Sequence, residues 1–276
     1  MTTIAELIRD ESKNLRDSAT PRLDTELLVA HCLNVDRATL FREPERPLSA
    51  EQLGRMRDLL RQRCAGKPIA QLTGQAEFYS LRLEVNHNVL IPRADTETLV
   101  DKALGFIEQK PLSIVDAGTG SGAIAIAIAT HCPNSTVIAL DTSPDALAVA
   151  RRNVLHHELN NVSVRGSDWL ETIDDDSVDL IVSNPPYVAS DDPHFSIGGI
   201  GHEPRVALDG GKDGLDAYRQ LIPQARAKLI ADGLLLLEHG FDQANAVGKL
   251  LRESGFQDVA SERDIAGRER ISFGRK

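Results

Sequence analysis

The chain has 276 residues, of which 41% are apolar and 26% charged, and its formal net charge is −10. This length predicts two units of unequal size, and the composition excludes disordered, collagen-like and disulfide-stapled proteins. The negative charge disfavours non-specific binding to phosphate backbones. The apolar runs are too short to span a bilayer, and the charged first residues do not fit a secretory signal. With three cysteines in no metal-ligand or redox spacing, we expect a cytoplasmic protein.

The first part of the chain is predicted to form short helices. Thr20 is expected to cap a helix that begins at Pro21. Ser49 and Gln52 have the spacing of a capping box, and the apolar residues after them recur at helical spacing until Gly66. These patterns predict a small helical domain over residues 1–76.

The pattern then changes from helical to strand-like. Over residues 77–94 the alternation of apolar residues predicts a β-hairpin linker, with its turn at residues 86–88. Later strands are predicted near residues 112–116, 136–141, 161–165, 178–183, 232–238, 256–260 and 270–273. Helices are predicted near residues 95–108, 122–131, 143–159, 215–230 and 241–254. This alternation predicts an α/β domain over residues 95–276, with a mostly parallel, Rossmann-like sheet of seven strands covered by helices on both faces.

A glycine-rich loop follows the first strand of this sheet. The strand ends at Asp116, and the loop Gly-Thr-Gly-Ser-Gly occupies residues 118–122. Glycines let a backbone approach a ligand closely, and free amides at the start of the next helix attract a carboxylate or phosphate. The predicted cofactor-binding residues of the loop are Gly118, Thr119, Gly120, Ser121 and Gly122. Asp141, which ends the next strand, is expected to accept hydrogen bonds from ribose hydroxyls.

The loop by itself fits a dinucleotide as well, or a tight turn that binds nothing. Asp116 favours S-adenosylmethionine, because a carboxylate would repel a diphosphate but can lie near a positively charged amino group. Asp168 and Trp169 follow the third strand and are predicted to contact the adenine amine and ring. Their alternative roles are a turn residue and part of the core. The histidines and cysteines lack metal-binding spacing, so we predict no metal.

The sequence Asn-Pro-Pro-Tyr at residues 184–187 follows a strand that is apolar enough to be buried. Ligands bind at the C-terminal edge of open parallel sheets, and prolines leave carbonyls there as free acceptors. We predict that Asn184 and Pro185 accept the two N–H groups of an amide or aromatic amine beside the cofactor. Pro186 would add rigidity, and Tyr187 would pack over the flat target group. Positioning can lower a barrier by roughly 7 to 11 kcal/mol, so no strong base is required. The alternative is a plain strand-ending turn.

Further segments make nearly the whole chain resemble the release factor glutamine N5-methyltransferases, the PrmC or HemK family. They include Pro-Ile-Ala at 68–70, Leu-Thr-Gly at 72–74, Glu-Phe-Tyr at 77–79, Val-Leu-Ile-Pro-Arg at 89–93, Glu-Pro at 203–204 and Leu-Glu-His-Gly at 237–240. The resemblance implies a helical domain that recognises the release factor, a hairpin linker and a class I methyltransferase domain. It also implies the substrate, the glutamine of the Gly-Gly-Gln loop in class 1 peptide-chain release factors. Ala94 departs from the family, which often has proline there.

Two other functions stay open at this point. Asn-Pro-Pro-Tyr also serves enzymes that methylate an exocyclic amine of adenine or guanine in nucleic acid, although the acidic balance argues against a nucleic-acid substrate. A nucleotide-binding regulator without catalysis would leave residues 184–187 unused. We expect no membrane association and a monomer, and we hypothesise that residues 188–214 form a lid over the site.

Overall fold

The computed structural model describes residues 2–108, 110–196 and 201–276. Tertiary contacts divide these residues into two units. The first holds the described residues of 1–75 and 196–202, and the second holds those of 76–195 and 203–276. The domain boundaries after residues 76 and 94 stay a prediction. Within the described ranges, every helix is too short or too polar to cross a membrane.

The first unit is helical. Its helices are α1 (Ile4–Glu11), α2 (Pro21–Leu33), α3 (Arg37–Arg42), α4 (Ala50–Cys64) and α5 (Ile69–Thr73). The predicted capping box forms, because Gln52 N donates to Ser49 Oγ at 3.2 Å and Ser49 N donates to Gln52 Oε1 at 2.9 Å. The predicted side-chain cap at Thr20 was wrong: its hydroxyl donates to the Asp24 carboxylate, at 3.0 Å, instead of accepting from the helix backbone.

The second unit starts within β1 (Gln75–Phe78), which pairs with β2 (Leu81–Glu84) in a short two-stranded sheet. The predicted turn at residues 86–88 was wrong, because the strands are joined by Tyr79 and Ser80, with φ of 51° and 60°. Two successive residues with positive φ match the twist of a two-residue hairpin. Tyr79 is held there by its backbone N–H, which donates to Glu97 at 2.8 Å, and by its hydroxyl, which donates to Asp101 at 2.6 Å.

The main sheet has the predicted architecture. Its strands are β3 (Ser113–Ala117), β4 (Thr136–Asp141), β5 (Val162–Gly166), β6 (Val178–Ser183), β7 (Leu229–Glu238), β8 (Gln257–Arg263) and β9 (Glu269–Arg275). They lie in the order β5-β4-β3-β6-β7-β9-β8, and the first five are parallel, whereas β9 is antiparallel to both of its neighbours. The predicted seven-stranded, mostly parallel sheet is confirmed.

Helices pack on this sheet and bury its apolar side chains. They are α6 (Glu97–Ile107), α7 (Ala123–His131), α8 (Pro144–His156), α9 (Asp216–Lys228) and α10 (Ala244–Glu253). Two separate apolar clusters form, one containing Leu99 and Ile126, the other containing Tyr218 and Leu221. The prediction that the fourth helix continues to residue 230 was wrong. Leu229 is extended and pairs with Val178, so β7 begins there.

The strand order places a crevice at one edge of the sheet. β3 is flanked by β4 on one side and by β6 on the other, so the chain winds outward in both directions from β3 and β6. In an open parallel sheet such a switch point leaves a ligand-sized gap beyond the carboxyl ends of the strands. The loops that follow Ala117, Asp141 and Ser183 therefore meet there.

Candidate active site

A cavity of about 330 Å³ lies at the carboxyl ends of β3, β4 and β6. The predicted site residues that line it are Gly118, Thr119, Gly120, Ser121, Asp141, Asp168, Trp169, Asn184 and Pro186. Four others are not among its lining residues: Asp116, Gly122, Pro185 and Tyr187. The structure thus brings together residues 118–121 and 184–186, which are more than sixty positions apart in the sequence.

The glycine loop is fixed by hydrogen bonds to the end of the neighbouring strand. Gly118 N and Thr119 N both donate to the Leu140 carbonyl at 2.8 Å, and Gly120 N donates to Asp141 Oδ2 at 2.9 Å. Gly118 and Gly120 have φ of 76° and 55°, values that a residue with a Cβ rarely adopts. The loop backbone can therefore face the cavity without a side chain in between.

Asp141 connects two ligand-facing segments. Its Oδ2 accepts from Gly120 N, and its Oδ1 accepts from Ser143 N at 2.9 Å. Ser143 is the N-cap residue of α8. Each carboxylate oxygen has a second lone pair, so the side chain can accept further hydrogen bonds from a ligand. Asp141 is consequently held at the cavity wall in one orientation.

Asp116 lies beneath the loop and is fully buried. Its Oδ2 accepts from Thr119 Oγ1 at 2.6 Å and from Ala125 N at 3.2 Å, whereas Oδ1 has no hydrogen-bond partner among the described residues. Burial raises the pKa of this carboxyl to about 7, although both hydrogen bonds oppose the shift. A positive charge near the loop would favour the ionised form.

Trp169 and Gly122 both take part in close packing around the glycine loop. The Trp169 ring lies against the loop, since a Cβ built on Gly118 would be 3.6 Å from its Cζ3 atom. A Cβ on Gly122 would lie 3.1 Å from Ile126 and 3.4 Å from Ala150. Gly122, with φ of 86°, thus permits close packing of α7 and α8, and its predicted contact with the cofactor stays a prediction.

The Asn-Pro-Pro-Tyr segment leaves the sheet next to the glycine loop. Ser183 Oγ donates to the Ala117 carbonyl at 2.6 Å and ties β6 to β3. Asn184 Nδ2 donates to Thr96 Oγ1 at 3.1 Å, and the Asn184 side chain also lies close enough to Glu238 to lower the pKa of its carboxyl. Because Nδ2 is engaged with Thr96, the other amide atom, Oδ1, is left for a ligand.

Tyr187 does not line the cavity and packs on the apolar cluster that contains Tyr218 and Leu221. Its carbonyl accepts from Gln243 Nε2 at 3.1 Å, and burial raises the pKa of its hydroxyl to about 12, so the phenol is neutral. The geometry assigns Tyr187 a supporting position in this structure. Its predicted contact with the target group stays a prediction.

Comparison with known proteins agrees with this geometry. The chain matches the PrmC N-terminal domain over residues 6–74 and the methyltransferase small domain over residues 97–199. It is 43% identical over 268 residues to the release factor glutamine methyltransferase of Salmonella typhimurium, covering 97% of each chain. The Pseudomonas aeruginosa protein of that name is 45% identical over 274 residues, covering 99% of each chain. The chain belongs to the release factor glutamine methyltransferase family. The predicted resemblance is confirmed.

Two solved structures show the fold that this release factor glutamine methyltransferase family member shares with other methyltransferases. A methyltransferase from Pyrococcus furiosus has a TM-score of 0.54 and 21% identity, covering 78% of this chain and 98% of its own. The ribosomal protein L11 methylase from Lactobacillus delbrueckii subsp. bulgaricus has a TM-score of 0.52 and 24% identity, covering 70% and 84%. The predicted class I methyltransferase fold is confirmed.

Sequence reasoning assigned no role to several residues that build the cavity. Thr96 and Arg93 line it, and Arg93 forms an ion pair with Glu203, which is buried and also accepts from Ile91 N at 2.9 Å. Glu238 lies behind Asn184 and does not line the cavity. Arg93, Glu203 and Glu238 lie in segments typical of the family, which does not tell a structural residue from a functional one, and Thr96 lies outside those segments.

Two predictions about this site are left open by the structure. Among the described residues, no group of three His, Cys, Asp or Glu side chains is placed to hold a metal ion, and the absence of a metal stays a prediction. The hypothetical lid over residues 188–214 includes residues 197–200, which lie outside the described residues. Of its described part, Val206, Ala207 and Asp209 line the cavity, and residues 188 and 209 form a parallel bridge.

Proposed function

We propose that this protein transfers a methyl group from S-adenosylmethionine to the side-chain amide nitrogen, N5, of the glutamine in the Gly-Gly-Gln loop of class 1 peptide-chain release factors. The observation that carries the proposal is the Asn184 amide, which is fixed beside the glycine loop with Oδ1 available to accept from a substrate N–H. The release factor glutamine methyltransferases that share 43% and 45% identity with the chain support the substrate.

The cofactor side of the cavity fits S-adenosylmethionine, which supplies a methyl group on a positively charged sulfur. We assign the ribose hydroxyls to Asp141, the adenine to Asp168 and Trp169, and the carboxylate to the loop amides of residues 118–121. One buried oxygen of Asp116 has no partner among the described residues, and a cationic ligand near the loop would favour the ionised form of this carboxyl. The cavity volume lies within the range of small-molecule sites.

The acceptor side is suited to a weak nucleophile. An amide nitrogen reacts poorly because its lone pair is delocalised into the carbonyl group, so its orientation decides the rate. Asn184 Oδ1 and the Pro185 carbonyl would accept the two N–H groups and hold the nitrogen toward the methyl donor. Pro186 lines the wall beside them, and Tyr187 supports the segment as a neutral phenol. Positioning of this kind can contribute roughly 7 to 11 kcal/mol.

The helical unit is proposed to recognise the release factor, since it matches the PrmC N-terminal domain over residues 6–74. We further propose that the protein acts as a monomer in the cytoplasm, uses no metal, and serves translation termination through its release factor substrate. These assignments rest on the family and on the charge and composition of the chain.

The proposal is tested by transfer of labelled methyl from S-adenosylmethionine. Purified release factor, its loop variant with alanine in place of the glutamine, duplex DNA and ribosomal RNA are offered in parallel. We expect label on the intact factor alone. Label on a nucleic acid, with none on the factor, would keep the fold and cofactor but overturn the substrate. Equal labelling of the factor and of its loop variant would overturn the glutamine as the target.

A further inference from the structure

Glu238 lies directly behind Asn184 because of the register between β6 and β7. Ser183 pairs with Leu237 in these parallel strands, so Asn184, the residue after β6, lies beside Glu238, the last residue of β7. The side chains of Thr96 and Asn184 lie close enough to the Glu238 carboxyl to lower its pKa. Its second oxygen, Oε2, is buried and has no partner among the described residues.

The surroundings of this carboxylate are poor in compensating charge. The cation that faces it is Arg270 on β9, which is shared with Asp95 at 3.1 Å and with Asp264 at 3.3 Å. The phenols of Tyr187 and Tyr218 also face it, and Tyr218 donates to the backbone carbonyl of Glu238 at 2.8 Å. Burial is the largest influence and raises the pKa of Glu238 to about 7, with Asp95 acting in the same direction.

Burial of the Glu238 carboxylate lowers the stability of the fold, so a purely structural role would not explain this residue. A buried carboxylate without a dedicated cation loses hydration that one shared arginine does not replace, and an uncharged residue would fill the same space at a lower cost. Glu238 is 1% exposed and yet belongs to no exclusive ion pair among the described residues. A role in the reaction is therefore the better explanation.

That role follows from the symmetry of an asparagine side chain. A flip about its last bond exchanges Oδ1 with Nδ2, and with Nδ2 toward the cavity the side chain would face the substrate with donors instead of an acceptor. An ionised carboxylate has no proton to donate, so it accepts from Nδ2 and rejects the flipped orientation. A protonated carboxyl can donate to Oδ1, so the preference for the orientation with Oδ1 toward the cavity would be lost.

We propose that Glu238 is a positioning residue for methyl transfer, whose carboxylate holds the Asn184 amide with Oδ1 directed at the substrate nitrogen. This inference rests on the proposed function, because it concerns the orientation of the glutamine that the protein methylates. Glu238 acts through Asn184 and touches neither the cofactor nor the substrate.

The variants that test it are Glu238→Gln, which keeps the shape but cannot ionise, and Glu238→Ala, which removes the acceptor. We expect kcat for release factor methylation to fall about tenfold in the first and on the order of a hundredfold in the second. The Kd of S-adenosylmethionine should change less than about twofold in both, because Glu238 does not line the cavity.

The pH profile separates positioning from a structural role. At saturating S-adenosylmethionine, kcat/KM of the wild type should rise with pH through about 7 as Glu238 ionises, and then level off. In Glu238→Gln this rise should be absent. The matched control is Asp179→Asn, which alters a carboxylate near the other end of β6 that accepts from Ser113 N at 2.8 Å. It should keep both the wild-type kcat and the wild-type rise.

The outcomes are distinct. Full activity in both Glu238 variants, or an unchanged pH profile in Glu238→Gln, would overturn the inference while wild-type methylation of the release factor upholds the proposed function. An equal loss in Asp179→Asn would show that Glu238 acts only through the fold. If Glu238→Ala does not fold, the pH profile of Glu238→Gln decides. A wild type that methylates no release factor would overturn the proposed function and this inference together.

Discussion

The cofactor side and the acceptor side of the cavity are built in different ways. On the cofactor side the supporting contacts join residues that are close in the sequence: Asp116 is hydrogen-bonded to Thr119 and Ala125, and the glycine loop to Leu140 and Asp141 at the end of the next strand. On the acceptor side Asn184 is hydrogen-bonded to Thr96, which lies 88 residues earlier, and lies beside Glu238 on the next strand. The ligand cradle is thus built by two consecutive strands and the loop between the first strand and its helix, whereas the catalytic amide contacts a segment that is distant in the sequence.

Each side nevertheless ends in a buried carboxylate. Asp116 and Glu238 are each 1% exposed or less, each has one oxygen without a partner among the described residues, and burial raises the pKa of each to about 7. The difference lies in what they face, since Asp116 supports the loop for a cationic cofactor and Glu238 supports the amide for a neutral substrate. We therefore expect a substitution on one side of the cavity to impair the function of that side and to leave the function of the other side intact.

The largest expected effect is on the acceptor side. Asn184→Ala removes the side-chain acceptor for the substrate N–H, and we expect kcat to fall by about 10²- to 10³-fold, as is usual when a positioned polar group is lost. The Kd of S-adenosylmethionine, measured by calorimetry, should stay within about threefold of wild type. Asn160→Ala, at an exposed position outside the cavity, is the matched control. Turnover in Asn184→Ala at the wild-type rate would remove the catalytic assignment.

On the cofactor side, Asp116→Asn should change how stability depends on pH. The folded-state pKa of about 7 lies above the usual 3.8, so the stability linked to protonation is present below 3.8 and is lost as the pH rises through 7. Asparagine cannot ionise and avoids this loss. The variant should gain free energy of unfolding relative to wild type as the pH rises from about 4 to about 7, by about 1.4 kcal/mol for each pH unit, and the difference should then level off.

Urea denaturation of the cofactor-free protein across that pH range measures the effect of Asp116→Asn. Because both proteins contain the same other titrating groups, only the difference between their free energies of unfolding is interpreted. A difference that is constant with pH would mean that Asp116 is not neutral at low pH in the folded state.

A smaller effect is expected for Asp141→Asn. The asparagine side chain has no negative charge, and it has one acceptor oxygen in place of the two that accept from Gly120 N and Ser143 N. We expect the Kd of S-adenosylmethionine to rise about tenfold, which corresponds to about 1.4 kcal/mol, with little change in kcat at saturation. Asp145→Asn, an exposed acid in the first turn of α8, should bind normally. A fall in kcat without weaker binding would place Asp141 on the acceptor side.

The smallest effect is expected at Gly122, where the structure shows packing instead of a cavity wall. Gly122→Ala strains a residue with φ of 86° and crowds Ile126, so we expect a loss of about 1 kcal/mol in the free energy of unfolding. Cofactor affinity should hardly change. Gly105→Ala, in α6 with open space around it, should not destabilise the protein. Weaker cofactor binding in Gly122→Ala at unchanged stability would show that this glycine contacts the ligand.

The comparison also explains what the sequence could predict. The strand, loop and helix of residues 113–131 form one continuous segment, and the glycines at 118 and 120 indicated the backbone approach directly. The alternation of strands and helices predicted the sheet. The order of its strands could not be predicted in this way, because it depends on which strands pair. Local patterns failed at the hairpin, where Asn86 and Asn88 suggested the turn, while contacts of Tyr79 with α6 fixed it elsewhere.

The support of Asn184 could not be predicted in this way. Glu238 ends an apolar strand, and nothing in its neighbourhood along the chain indicates that it faces Asn184. That placement depends on the pairing of β6 with β7, and the approach of Thr96 depends on how α6 packs. Residues whose roles arise from strand register become visible only when the fold is known.

The most direct test of the central claim is the identity of the atom that is methylated. Release factor treated with the protein and S-adenosylmethionine carrying a labelled methyl group is digested, and the peptide with the Gly-Gly-Gln loop is hydrolysed in acid, which cleaves the side-chain amide. If N5 is the acceptor, the label is released as methylamine, and Asn184→Ala yields almost none. Label that stays on the amino-acid residue or is found in another peptide would contradict the account.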